Sequence, residues 1–355
     1  MNEPSSISIT NIYWMLAYAF RNIDKKEDKL FSSEKFENIY DLFCFMLTYD
    51  INRLIKSGLN KEYILKEDKL SSLKGKIEIN KSINNNLIKT GKLICTYDEY
   101  SENSLFNKII KTAATAIIKS KKILNKKREK ELKKSLLFFE NVDVLNKKEI
   151  NWNNIIFNRN NISYKLPLHI SYLILNSLIV KDEDGKEKYS EYIDDQTLPK
   201  LYEKFILKYY EYHYKNDFKV GAPVVRWDIP LEEKIGFLPE MKTDITLQNI
   251  ANGKKLIIDA KFYSRSLTSN PMFDRKTYSS NHLYQIFTYV KNEDKNNSGN
   301  IFGMLLYAKT KNEDIGWEEH NISGNQIVIT DLDLSDTFDK VEEKFSIIAE
   351  WFKKQ

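Results

Sequence analysis

Two aspartates and a lysine sit where a hairpin would gather them. Asp244 ends the run Met241-Lys242-Thr243-Asp244, and Asp259-Ala260-Lys261 follows after fourteen intervening residues. Between them, 244–248 and 256–261 are β-rich runs joined through Asn252-Gly253. Asn-Gly is the preferred centre of a type I′ turn, because both residues tolerate positive φ. With those two residues as the loop, Ala251 faces Lys254, Ile245 opposes Ala260, and Leu247 opposes Ile258 on an apolar face. The other face then pairs Asp244 with Lys261 and Thr246 with Asp259. Opposed Cβ atoms lie about 5 Å apart and diagonal ones roughly 7 Å, so the three charged side chains converge. Mg²⁺ is a hard cation that needs only one or two carboxylates beside its waters. Asp244, Asp259 and the backbone carbonyl of Ala260 are therefore candidate metal ligands. Lys261 can position the attacking water and stabilise a pentavalent transition state. The chemistry is metal-assisted phosphodiester hydrolysis. An exposed hairpin with a cross-strand Asp–Lys pair would present the same residues without any chemistry.

The flanking segments favour the chemical reading. The spacing D-x(14)-D-A-K resembles the PD-(D/E)xK nuclease pattern, with Thr243-Asp244 standing where that pattern has Pro-Asp. The run 282–290 reads as a helix with Gln285 and Tyr289 one turn apart on one side. A Q-x-x-x-Y helix after the catalytic strands resembles the branch that includes the RecB nuclease domain. Tyr289 alone would pass for a core aromatic in a chain with 21 tyrosines. Gln285 is harder to account for that way, because an amide within an apolar helix face needs a partner. Upstream, Glu203 lies on the amphipathic helix that begins at Leu201 and could add a metal-side carboxylate. Read alone, it suits a solvated helix charge slightly better.

The elements that must hold these residues follow from periodicity. Residues 8–22, 35–57, 104–123, 126–139 and 165–180 read as helices, and 61–67, 74–79 and 92–98 as strands. The charged stretch 181–188 reads as a loop, which puts a domain boundary near residue 185. Beyond it the order is helix, strands, helix, strands at 301–307 and 326–329, and a helix at 337–353. The fold class is thus α/β, with an α+β domain over 1–185 and an α/β core over 186–355. The 355 residues suffice for two cores. A net charge of +5 permits nucleic-acid binding without demanding it. Cys44 and Cys95 suggest neither a disulfide framework nor zinc, and no apolar run approaches a membrane span, so the expected compartment is the reducing cytoplasm. The basic run from Lys119 to Lys134 reads as the solvated side of two helices. His169, His213, His282 and His320 lack ligand spacing, and His282, although near Gln285, is not expected to act. No G-x-x-x-x-G-K-[ST] loop is present, so no nucleotide is expected to bind this chain alone.

Further blocks extend the resemblance to most of the chain. Asn11-Ile12-Tyr13-Trp14-Met15-Leu16-Ala17-Tyr18-Ala19 fits N-I-Y-x-M-L-x-Y-A, and Lys74-Gly75-Lys76-Ile77-Glu78 fits K-G-[KR]-I-E. A third block runs through Thr96-Tyr97-Asp98-Glu99 and 102–111. With 241–246, 259–261 and 283–285, the sequence resembles the McrC family, the nuclease subunits of McrBC modification-dependent (5-methylcytosine) restriction systems. That resemblance implies a Mg²⁺-dependent type IV restriction endonuclease subunit, with Mn²⁺ as a substitute metal. It also implies an N-terminal stalk (1–185) that docks on an McrB-like AAA+ GTPase hexamer and stimulates it, and a C-terminal endonuclease domain (186–355). Double-stranded DNA carrying modified cytosine is the implied substrate. The catalytic set would be Asp244, Asp259 and Lys261, with Gln285, Tyr289 and Glu203 auxiliary. Family members carry Gln as well as Glu at the position of Glu203. Partner contacts are expected near the Gly75 turn, where a backbone without Cβ can approach another protein. Two alternatives are a standalone Q-x-x-x-Y repair nuclease and a non-cutting ring adaptor. The first has no need of the stalk blocks, and the second no need of the charged triad.

Overall fold

Asn11 to Ala19 are buried without interruption in the first helix, α1 (Ile9–Phe20). A helix that is apolar all round has to be enclosed on every side. In this computed structural model, which describes residues 7–20, 34–177, 197–230, 237–262, 267–270, 275–309 and 315–355, the enclosure comes from the C-terminal half. Trp14 stacks on Phe338 with ring centroids 4.5 Å apart, and Tyr18 packs on Phe205 and Tyr209. Asn11 donates from Nδ2 to the carbonyls of Leu334 and Asp336, each at 2.8 Å. The chain accordingly forms two compact units, Phe36–Lys181 and Met1–Lys35 with Asp182–Gln355. The sequence places a boundary near residue 185, close to the second junction, but it assigns α1 to the wrong side. Periodicity marks a buried helix face without naming what covers it. The expected loop at 181–188 lies outside the described residues.

The unit Phe36–Lys181 packs α2 (Ile39–Ser57) against helices that come later in the chain. An antiparallel sheet carries β1 (Glu62–Leu70), β2 (Lys76–Ile77) and β3 (Leu93–Ser101) in the order β1-β3-β2, with α3 (Ile79–Asn84) between β2 and β3. Then come α4 (Leu105–Lys119), α5 (Lys126–Ser135) and α6 (Lys165–Ser177). Asn38, Ser104 and Asn125 accept from the first-turn amides of α2, α4 and α5, the usual role of such residues at helix starts. Tyr164 links sheet to helices: its hydroxyl donates to Asn107 Oδ1 at 2.9 Å and accepts from Asn60 N at 2.7 Å. The 102–111 block is therefore a capping and anchoring motif. Gly75, at φ +67°, has its bare α-carbon against its own β3: a Cβ there would come within 2.5 Å of the Thr96 carbonyl oxygen. That glycine lets the chain entering β2 lie close against β3, a packing reason within this unit. Lys126 and Lys133 in the basic run pair with Glu129, as a solvated face would, while Arg128 is buried over Phe36 and Phe45. Both cysteines are buried and free.

The other unit is built on a six-stranded mixed sheet. After α7 (Thr197–His213) come β4 (Phe218–Gly221), β5 (Val224–Val225), β6 (Met241–Lys242), β7 (Ile245–Asn249) and β8 (Lys255–Lys261). A small ribbon, β9 (Leu267–Asn270) and β10 (Arg275–Tyr278), precedes α8 (Ser280–Glu293), and β11 (Ile301–Ala308), β12 (Trp317–Ile322), β13 (Asn325–Leu332) and α9 (Phe338–Lys353) complete it. The sheet order is β12-β13-β11-β8-β7-β4, with β11 parallel to both β8 and β13. One face carries Ile257, Leu305, Ile327 and Ile329 against Ile286, Tyr289 and Val290 of α8. Phe302 and Phe218, on the opposite face, meet Phe352 of α9. Gly303 lies under α8, where a Cβ would come within 3.0 Å of Ile286 and Val290. Helices on both faces of a largely parallel centre make this the expected α/β core.

Replacing Trp14 by Ala should cost this unit about 3–5 kcal/mol, the usual price of a buried aromatic. Denaturant unfolding of the full chain, followed by hydrogen exchange in 197–355, checks this. A loss below about 1 kcal/mol would mean that α1 is dispensable there.

Candidate metal centre

The hairpin that bears the site differs from its expected register in an instructive way. Ile245 pairs with Ile258 and Leu247 with Leu256, so the ladder is displaced by two residues. Asn249 N donates to the Lys254 carbonyl at 2.9 Å, which leaves the four residues 250–253 as the loop. Asn249 Oδ1 accepts from Ala251 N at 2.9 Å, and Gly253 takes φ +75°. This side-chain-built turn outcompetes the two-residue Asn-Gly turn. A slip of one residue would have turned every side chain over, but a slip of two preserves both faces. Extended one step past the ladder, the register sets Asp244 opposite Asp259 in place of Lys261. The convergence survives and becomes tighter for the carboxylates.

Asp244 lies just beyond the ladder, and Thr243 fixes it there. Thr243 donates to the Pro223 carbonyl from its amide at 3.1 Å and from its hydroxyl at 3.0 Å. Two bonds to one carbonyl hold the Thr243 backbone, and with it Asp244, in place. Asp244 Oδ2 accepts from Ala260 N at 2.9 Å. In an antiparallel ladder a residue's N–H and C=O leave the same strand edge, so the Ala260 carbonyl also points to the Asp244 side. Asp259 is buried, and its Oδ2 lies 2.7 Å from Lys261 Nζ in an ion pair. Lys261 Nζ donates to Gln285 Oε1 at 2.8 Å, and Gln285 Nε2 donates to the Tyr289 hydroxyl at 3.0 Å. The partner that Gln285 needs is the lysine of the triad.

Burial raises both aspartates above the ordinary carboxylate range. The Ala260 amide opposes that rise at Asp244, while at Asp259 Lys261 opposes it and Asp244 adds to it. Glu203 belongs to the same neighbourhood. It is half-buried, and its carboxyl is pushed up to about 7 by desolvation first and the Asp244 charge second. A fully solvated helix charge would show neither effect. Among the described residues, no group of three or more His, Cys, Asp or Glu side chains is arranged to hold an ion. The oxygen set at this site is therefore two carboxylates and a carbonyl, with Glu203 outside it. Two buried, opposed carboxylates and an all-oxygen donor set fit a hard divalent cation.

One position escapes a sequence-only reading: Pro223, distant in sequence, has no signal that ties it to Thr243. His282, which the sequence places near Gln285 without a role, sits one turn before it on the same helix. Its Nδ1 lies 2.9 Å from the Tyr307 hydroxyl, and Tyr307 pairs with Lys261 across β11 and β8. Burial, then Lys261, lowers the imidazole to about 4, so it is neutral at physiological pH.

Comparison with known proteins gives a consistent pattern. The family model for "McrBC 5-methylcytosine restriction system component" matches residues 9–308. A relative described as the type IV methyl-directed restriction enzyme EcoKMcrBC of Escherichia coli K12 is 27% identical over 308 residues, covering 86% of this chain and 87% of that protein. A solved half-complex of Thermococcus gammatolerans McrB AAA+ hexamers with bound McrC matches with a TM-score of 0.52 at 17% identity. That match covers 96% of this chain and 75% of the other, and supports the fold.

The raised carboxyls give a pH signature. Without metal, the folded chain keeps protons here that the unfolded chain has lost, so these groups weaken folding as pH rises from about 4 to about 7. In EDTA, thermal stability should fall across that window more steeply than in Asp259→Asn, and Mn²⁺ should restore it most at the upper end. Equal slopes for the two proteins in EDTA would contradict the assignment.

Proposed function

This chain belongs to the McrBC 5-methylcytosine restriction system component family, and on that premise we propose that it is the Mg²⁺-dependent DNA endonuclease subunit of a GTP-dependent restriction complex. The observation that carries the proposal is the convergence of Asp244, Asp259 and Lys261 on one buried face, with Lys261 braced by Gln285 and Tyr289. Asp244, Asp259 and the Ala260 carbonyl would hold Mg²⁺, or Mn²⁺ in its place, and the ion supplies Lewis acidity toward a phosphate oxygen and an acidified water. Lys261 brings a fixed positive charge to where negative charge develops on phosphorus. Gln285 holds the ammonium in place, and Tyr289 holds Gln285. Glu203, poised near neutral pH, can take up or release a proton beside the carboxylates.

The substrate proposed is double-stranded DNA carrying modified cytosine, and the proposed partner is an McrB-like AAA+ GTPase hexamer in the cytoplasm. A solved relative has McrC bound to such hexamers. The unit Phe36–Lys181 offers a surface for docking. Tyr63 and Tyr100 oppose each other on β1 and β3 with rings 5.0 Å apart, and they are 75% and 60% exposed. Leu65, two residues along the same face, is 69% exposed. A strip of apolar side chains on solvated strands marks a surface that a partner covers. No helix among the described residues is long and apolar enough to cross a membrane.

These two functions should separate by mutation. Asp244→Ala, Asp259→Ala and Lys261→Ala should each lower Mg²⁺-dependent cleavage by on the order of 10²–10³ or more, while stimulation of GTP hydrolysis by the cognate ring persists. Tyr63→Ser with Leu65→Ser should impair that stimulation and leave metal binding intact. Nicking and GTP-turnover assays read both, and normal cutting by Asp259→Ala would sink the site.

A further inference from the structure

The stripe of α8 that braces Lys261 extends beyond Gln285 and Tyr289. His282, Gln285 and Tyr289 succeed one another a turn apart along one side of the helix. Gln285 reaches Lys261 directly, whereas His282 Nδ1 is hydrogen-bonded at 2.9 Å to the hydroxyl of Tyr307. Tyr307 is in register with Lys261 on one side, across β11 and β8, and with Asp331 on the other, across β11 and β13. Residues in register on neighbouring parallel strands share a face, so Lys261, Tyr307 and Asp331 form one row, and all three are buried. Asp331 accepts from Ile315 N at 2.8 Å through Oδ2. It also puts a further carboxylate within the lysine's reach. Two strand spacings are about 10 Å, which a four-carbon stem and a carboxyl side chain close between them. Lys261 lies on Asp259 all the same, with Tyr307 standing between it and Asp331.

We infer that His282 is a positioning residue for Lys261: through Tyr307 it fixes a partition that keeps the ammonium on Asp259 and Gln285 and off Asp331. Asp244 and Asp259 lie on the β7 side of the lysine and Asp331 on the β13 side, so the partition divides the row into two halves. Its importance grows when Asp259 turns its oxygens to a cation. The ammonium then loses that partner, and the choice left to it is between Gln285 and Asp331. Burial, then Lys261, keeps the imidazole neutral, so His282 holds Tyr307 without repelling the lysine. The inference rests on the nuclease reading, in which a lysine drawn to Asp331 would stand away from the phosphate it stabilises.

The test reads lysine position and reaction rate separately, in the full chain. Asp259→Asn withdraws the competing carboxylate charge without any metal. Its crystal structure should keep Lys261 Nζ on Gln285, whereas adding His282→Leu, or Tyr307→Phe from the other end of the bond, should move Nζ onto Asp331. With Asp259 intact, each of the two single variants should lower kcat for Mg²⁺-dependent nicking of a 5-methylcytosine plasmid, in the presence of the cognate ring, by at least about tenfold. KM for DNA should not change, because only the lysine is displaced. The two losses should not add, since both variants remove one bond. Asp331→Asn leaves an amide oxygen to accept from Ile315 N, so alone it should nick like wild type, and in either variant it should restore the rate. Lys261 remaining on Gln285 in both combined variants, or a rate loss that Asp331→Asn does not relieve, would overturn the partition. A lysine that moves to Asp331 as expected, in a protein whose wild type does not nick, would overturn the nuclease reading alone.

Discussion

Two carboxylates facing each other in a buried place set the terms for this half of the molecule. Burial disfavours their charge, and their mutual repulsion disfavours it again. The structure still places Asp244 and Asp259 together, which requires that other interactions hold them. Thr243 spends both its polar groups on Pro223, the Ala260 amide binds Asp244, and Lys261 balances Asp259. β11 is buried throughout and β8 from Leu256 to Lys261, so the backbone beneath the site cannot relax to separate the charges. Such an arrangement is costly as a structural element and useful as a receptor for a cation.

Lys261 joins the carboxylate pair to the helix across it. It is nearly buried, and it divides its ammonium between Asp259 and Gln285. A cation arriving at Asp259 competes with the lysine for the same oxygen, and Gln285, held by Tyr289, offers it another acceptor. The Q-x-x-x-Y spacing thus has a physical meaning: one residue touches the lysine, and the residue a turn later fixes the first.

Much of the site was legible because its signals are local and redundant. Alternation along β7 and β8 assigned Asp244, Asp259 and Lys261 to one face, and parity made that assignment immune to a two-residue error in register. The error came from Asn249, whose side chain builds a longer turn that no dipeptide propensity reveals. The α8 pair was legible from helical spacing alone. Long-range placements were not legible. Apolar residues in α1 announce burial, but only tertiary contacts show that Trp14 meets Phe338 and that the helix belongs with the C-terminal unit. Gly75 likewise signals a close approach without saying to what, and its neighbour proves to be β3. Glu203 needed the fold to bring it into the field of Asp244.

The claim on which the rest depends is that Asp244 and Asp259 share one divalent ion. Anomalous diffraction from crystals of the protein grown with Mn²⁺ tests it most directly. The account predicts a single strong peak between the two carboxylates at about 2.0–2.2 Å from an oxygen of each, with the Ala260 carbonyl in the coordination shell and Lys261 drawn off Asp259 toward Gln285. An ion bound elsewhere, or the Asp259–Lys261 pair unchanged with no peak beside it, would contradict it.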